Sequence, residues 1–177
     1  MKRLFLSLFL AAGAASAQTP EGPEAAEMPG WGRDESIIAA FVQGANRGAL
    51  AVAGVAAENA SDPDVKAFAE HVRMERQDLG GAFDALTSMR EFPEQTPPDP
   101  EQFQNQGEEA ARMLAGKEGA EADRAFLEYM EDASRRLVER IDQHSAHATE
   151  ARLQSYLTAL RKAAERDRDI AEDLKNR

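Results

Sequence analysis

From Asp34 to the C-terminus the apolar residues recur at steps of three and four, and no stretch alternates in the manner of a strand. Such spacing places them on one face of a helix, so the chain is predicted to be all-α. In the first helix the seam runs Ile38, Phe41, Ala45, Gly48, Val52, Val55. Gly44, Ala45, Gly48 and Ala49 would let a neighbouring helix come close, although each glycine lowers intrinsic helicity by roughly 1 kcal/mol against alanine. "NASDPDVKAF" is a turn followed by a new start, with Asp62 as cap and Pro63 at the first helical position. The second helix has the seam Val65, Phe68, Val72, Glu75, Leu79, Ala82, Leu86.

The prolines of "REFPEQTPPDP" force a loop. Asp99, followed by Pro100 and Gln102, then caps a short helix that stops near Gly116. A long helix begins near Gly119, with seam residues Leu127, Met130, Ser134, Leu137 and Ile141. "HSAHAT" ends it, and Thr149 is the expected cap of the last helix. That helix has the seam Leu153, Leu157, Leu160, Ala164, Asp167, Ala171, Leu174. The expectation is four long helices with a short extra helix between the second and third. Two of the links are tight, so those neighbours should be antiparallel. The second and fourth long helices are then expected to be parallel, with the third antiparallel to them. The longer middle connection could cross the bundle end, and no solenoid repeat is evident.

Residues 1–17 carry the marks of an export signal: Lys2 and Arg3, the apolar core "LFLSLFLAA", and a small-residue cleavage site at Ala15–Ala17. The mature chain is expected to start at Gln18 and to lie in the periplasm, without a membrane span after cleavage. No cysteine is present, which excludes disulfides, thiol catalysis and cysteine-ligated metals. Residues 18–33, rich in Pro, Gly and Glu and containing the single tryptophan, Trp31, read as a linker ahead of a bundle domain at 34–177. The net charge is −11; without Lys2 and Arg3 it becomes −13. Such a chain is repelled by nucleic acid and by anionic lipid.

At "ANRGALAVAGVAAENASDPDVKAFAEHV" the sequence resembles the bacterial exported family called domain of unknown function 4142. The resemblance runs from about Ile37 to Leu174 and is carried by "NASDPDVKAFA", "ADRAFLEYM" and "RLQSYLTALRKAAE". It implies a ferritin-like four-helix bundle and brings no catalytic activity with it. The family pattern tends to place a histidine near the middle of long helices two, three and four. Arg76, Ser134 and Asp167 stand at those places here.

Glu75, Ser134 and Asp167 therefore fall mid-helix on apolar seams, with Arg76 beside Glu75. One reading is a polar layer across the core, in which Arg76 gives two parallel hydrogen bonds to Asp167 and Glu75 and Ser134 lie nearby. The other is that helix rotation carries Arg76 and Glu75 to the rim, because an ideal helix drifts by ~20° per heptad. In the second case Glu75, Asp167 and Asp132 become possible metal ligands. "FAEHVRMER" also offers His71 and Glu75 one turn apart, and His144 and His147 have similar spacing at a helix end, where histidine suits the dipole. No Glu-x-x-His motif occurs, so neither a metal nor a cofactor is expected. Met74, Met89, Met113 and Met130 fit core filling at least as well as soft-metal binding. Nucleophile elbows and phosphate loops are missing from the sequence. The reading is a non-catalytic envelope protein acting by protein interaction or stress protection. The alternative is binding of a metal ion or small apolar ligand in the bundle core.

Overall fold

The computed structural model describes residues 33–88 and 100–177. The expected signal, the linker with Trp31, and the Asp99 cap lie outside them. The described residues form five α-helices: α1 (Arg33–Asn59), α2 (Pro63–Thr87), α3 (Pro100–Ala115), α4 (Ala120–His144) and α5 (Ala151–Lys175). A short 3₁₀ turn, Ser145–His147, joins α4 to α5. The four long helices form the bundle, and α3 lies along α1.

Local chemistry accounts for most of the boundaries. The Asp62 side chain accepts the N–H groups of Asp64 at 2.7 Å and Val65 at 3.3 Å, and Pro63 occupies the first helical position. α4 starts after Gly119, whose φ of 62° suits a residue without a Cβ. The cap of α5 differs from the expectation. Its capping position is Glu150, and Thr149 instead donates its N–H (2.9 Å) and hydroxyl (2.6 Å) to Glu35 of α1. Glu35 also accepts the Glu150 N–H at 3.1 Å. A distant carboxylate thus does the work of a local cap at the positive end of α5. Asp123 of α4 does the same at the start of α2, accepting the Ser61 N–H (2.8 Å), the Ser61 hydroxyl (2.6 Å) and the Asp62 N–H (3.1 Å).

These contacts fix the topology. Glu35, at the start of α1, meets the start of α5, and Asp123, at the start of α4, meets the start of α2. Arg177, just beyond α5, reaches Asp64 at the start of α2 at 2.9 Å. α2 and α5 are therefore antiparallel, which corrects the expected parallel arrangement. The reason is the middle connection. Its described part, α3, lies alongside α1, and α4 begins beside the start of α2. The result is the single-crossover arrangement of ferritin-like bundles.

The same contacts reveal an internal correspondence at a spacing of 88 residues, the step from Glu35 to Asp123 and from Ser61 to Thr149. The buried residues follow it. Ile38, Val42 and Asn46 correspond to Phe126, Met130 and Ser134. Val65, Phe68 and Val72 correspond to Leu153, Tyr156 and Leu160. Hairpin α1–α2 and hairpin α4–α5 therefore pack as pseudo-equivalent halves.

The seams shift by small rotations. α2 buries Val65, Phe68, Ala69, Val72, Arg76 and Phe83; Ala82 is exposed and Glu75 is only partly buried. From Val65 to Phe83 the pattern follows the 3.6-residue period, whereas the expected seam drifted off it. α1 is buried on more than one stripe, including Ala39, Val42, Ala53 and Ala56, because α2, α3 and α4 all pack on it. This burial accounts for its being long and apolar enough, over Glu35–Asn59, to cross a membrane. α3 crosses it at Gly48. A Cβ on Gly107 would lie 2.1 Å from the Gly48 Cα, so the contact requires glycine.

Candidate functional site

The core is two apolar clusters with a polar layer between them. One, around Ile38, Val42, Phe83, Leu153 and Leu157, fills the end holding the α4–α5 turn. The other, around Val52, Phe68, Val72, Phe126 and Met130, fills the opposite end. Tilted ring pairs lie in both, Phe83–Tyr156 at 5.3 Å and Phe68–Phe126 at 5.6 Å. Between them sit Asn46, Arg76, Ser134 and Asp167, all 5% exposed or less.

Arg76 Nη2 donates to Asp167 Oδ2 at 2.5 Å, and the two side chains are 1% and 0% exposed. The contact is a single hydrogen bond rather than the expected parallel pair. Arg76 Nε and Nη1 and Asp167 Oδ1 are buried without a hydrogen-bond partner. Burial pushes the Asp167 carboxyl above the usual range, opposed chiefly by the charge of Arg76. A second long-range polar contact crosses the layer: Asn46 Nδ2 donates to the Tyr156 hydroxyl at 2.8 Å.

Glu75 leaves the seam for the flank, where Arg166 donates to its Oε1 at 2.5 Å. Arg166 also lies 3.7 Å from Asp167 Oδ1. Ser134 is buried and shares a cavity wall with Arg76. His71 is exposed. Even so, one donor atom each from His71, Glu75 and Asp167 lie within 4.8 Å of one another. An ion pair and a set of metal donors were expected to exclude each other. They coexist because each carboxylate accepts a hydrogen bond from a guanidinium through one oxygen and leaves the other without a hydrogen bond. Arg76 and Arg166 together balance the two negative charges, which opposes a dication unless the half-exposed Arg166 moves away.

His144 closes α4, where a histidine suits the helix end; the side chain of His147 lies outside the described residues. Asp132 pairs with Arg135 and with Arg136, and is not among the donors that converge with Asp167. Met130 is core, whereas Met74 and Met113 are 54% and 61% exposed. Sequence reasoning missed Glu35, Asp123, Asn46, Tyr156 and Arg166. Their signal is acidic residues in the first turns of α1 and α4 and an asparagine within an apolar run, and such signals gain meaning only once the helices are placed.

The topology defines the class, a ferritin-like helical bundle. The chain belongs to the family described as "Domain of unknown function (DUF4142)", which matches residues 17–174. Its fold is also that of a solved protein from Streptomyces coelicolor described as a candidate secreted protein DUF305. The TM-score is 0.69 at 14% identity, covering 80% of this chain and 91% of that one. Among curated proteins, none matches the chain.

Proposed function

We propose that the protein is an exported, periplasmic helical bundle without catalytic activity, acting by docking to an envelope protein or by protecting it under stress. The observation that carries this reading is the Arg76–Asp167 pair. It occupies the mid-bundle position at which a ferritin-like protein would place a reactive centre, and joins α2 to α5 there. The other buried polar contacts have the same character. Glu35, Asp123 and Asn46 each tie together segments distant in sequence. Interior polarity here selects which helices pair, and the exposed faces are left for recognition. The resemblance to a candidate secreted protein supports export. In-cell cross-linking in the envelope tests the reading. A specific partner adduct is expected, and its loss together with a turnover assignable to the core residues would overturn it.

A second reading rests on the convergence of His71, Glu75 and Asp167. Once Arg166 swings away, with Arg76 still orienting Asp167, these donors would take one first-row divalent ion. Elemental analysis of untagged protein after exposure to Fe(II), Mn(II) and Zn(II) decides it. Stoichiometric metal that survives dialysis and is lost in Glu75→Ala and His71→Ala would establish this reading, and trace metal alone would remove it.

A further inference from the structure

A cavity of about 20 Å³, with Arg76 in its wall, opens between α1, α2, α3 and α4. Its polar wall is Arg76, Arg136, Ser134, Tyr129 and Gln106; the remainder is small or apolar. We propose that this cavity is a binding site for one small anion of chloride size, held by Arg76 and Arg136.

Three observations carry the assignment. The first is the unpartnered donors. Arg76 Nε and Nη1 and Arg136 Nε are buried with no acceptor, and Arg76 is only 2% exposed. A guanidinium can only donate, so what completes it must accept. The second is the composition of the wall. No carboxylate lines the cavity, in a chain whose net charge is −11. Two neighbouring carboxylates are already engaged. Asp167 meets Arg76 through one nitrogen, and Asp132 is shared by Arg136, at 2.9 Å, and Arg135. Both Arg76 and Arg136 also act to lower the Tyr129 pKa, so their fields converge at that hydroxyl, although burial outweighs them. The third is size. A cavity needs about 10–15 Å³ to take one water, so this one takes a single water or a monoatomic ion. A water would bring two protons, which among the polar side chains of this wall only Tyr129, Ser134 and Gln106 can accept, while both guanidinium groups can only donate. A halide brings none.

The test uses the untagged mature protein in a halide-free buffer. Thermal unfolding is followed as sodium chloride replaces sodium gluconate at constant ionic strength. Crystals grown in bromide are measured for anomalous scattering. The expected result is a midpoint that rises with the logarithm of chloride above its Kd, and a bromide peak in the cavity. Arg136→Met should keep the fold, because its side chain is 39% exposed, and lower chloride affinity about tenfold or more. Arg135→Met removes the other guanidinium on Asp132 without touching the cavity and should retain the wild-type dependence. Equal midpoints in chloride and gluconate would overturn the proposal. So would a bromide peak without a chloride effect, which would mark an adventitious ion only. A dependence that survives in Arg136→Met and disappears in Arg135→Met would place the effect at the surface and overturn it as well.

Discussion

Arg76 on α2 and Asp167 on α5 meet at 2.5 Å through one hydrogen bond, in a layer that separates two apolar clusters. Because both groups are buried, each depends on the other to offset desolvation. Arg76→Met is expected to destabilise the protein by about 3–5 kcal/mol at neutral pH, the usual cost of leaving one buried charge alone. The Arg76→Met/Asp167→Leu double variant should recover most of that loss. Burial already raises the Asp167 pKa, and losing Arg76 raises it further. A raised carboxyl lets the folded state hold its proton longer than the unfolded chain, so this contribution falls as pH rises. The Arg76→Met defect should therefore shrink on acidification through the Asp167 titration. Urea denaturation of the three proteins across the acid range checks this.

Glu35 and Asp123 cap helices from a distance, at opposite ends of the bundle. Replacing either by alanine is expected to cost about 1.5–3 kcal/mol, the range for hydrogen bonds to a charged group. Because the sites are far apart, the double variant should lose the sum within roughly 0.5 kcal/mol. Denaturant midpoints of the two single variants and the double decide the point.

The glycines divide sharply. Gly107→Ala places a Cβ into Gly48 of α1 and is expected to cost about 1–3 kcal/mol through overpacking. Hydrogen exchange should show α3 losing protection before the rest of the bundle. Gly80 and Gly81 face open space in the interior of α2, so alanine at either should stabilise by roughly 0.5–1 kcal/mol.

Tyr129 and Tyr156 are the chain's two tyrosines, and burial pushes both up to about 12. Ultraviolet titration of the folded protein should show little phenolate at pH 10, where free tyrosine is half ionised. Since both folded values lie above the unfolded one, stability is lost as pH rises beyond 10, and the phenolate signal should appear together with unfolding. A rise in absorbance with helicity intact would contradict the burial of these rings.

Helix existence and most apolar contacts were legible in the sequence, because period and turn chemistry are local. Asp62 with Pro63 marked the start of α2, and the small residues around Gly48 marked a close neighbour. The orientation of α5 was not legible. It depends on how far residues 88–119 travel, and nothing local in them states a direction. The Arg76–Asp167 pair was legible as one of two readings, but which of Glu75 and Arg76 turns inward was not, for a related reason. One residue on a helix is a rotation of about 100°, and a seven-residue seam accumulates enough drift to confuse neighbours. Thr149 looked like a cap because hydroxyls usually are. The carboxylate that uses it comes from 114 residues away.

The correspondence at 88 residues means that the chain makes with itself the reciprocal contacts two identical subunits make in a dimer. Such an arrangement carries a hazard, since equivalent halves can trade places between molecules or pair with their own kind. Arg76 and Asp167 break the equivalence. Their counterparts in the opposite hairpin are Ala164 and Leu79. The first hairpin carries the cation and the second the anion, so a first hairpin that met another first hairpin would bury two unpaired arginines. The polar layer thus works as a lock and key between near-copies, rejecting self-pairing and admitting only the complementary half.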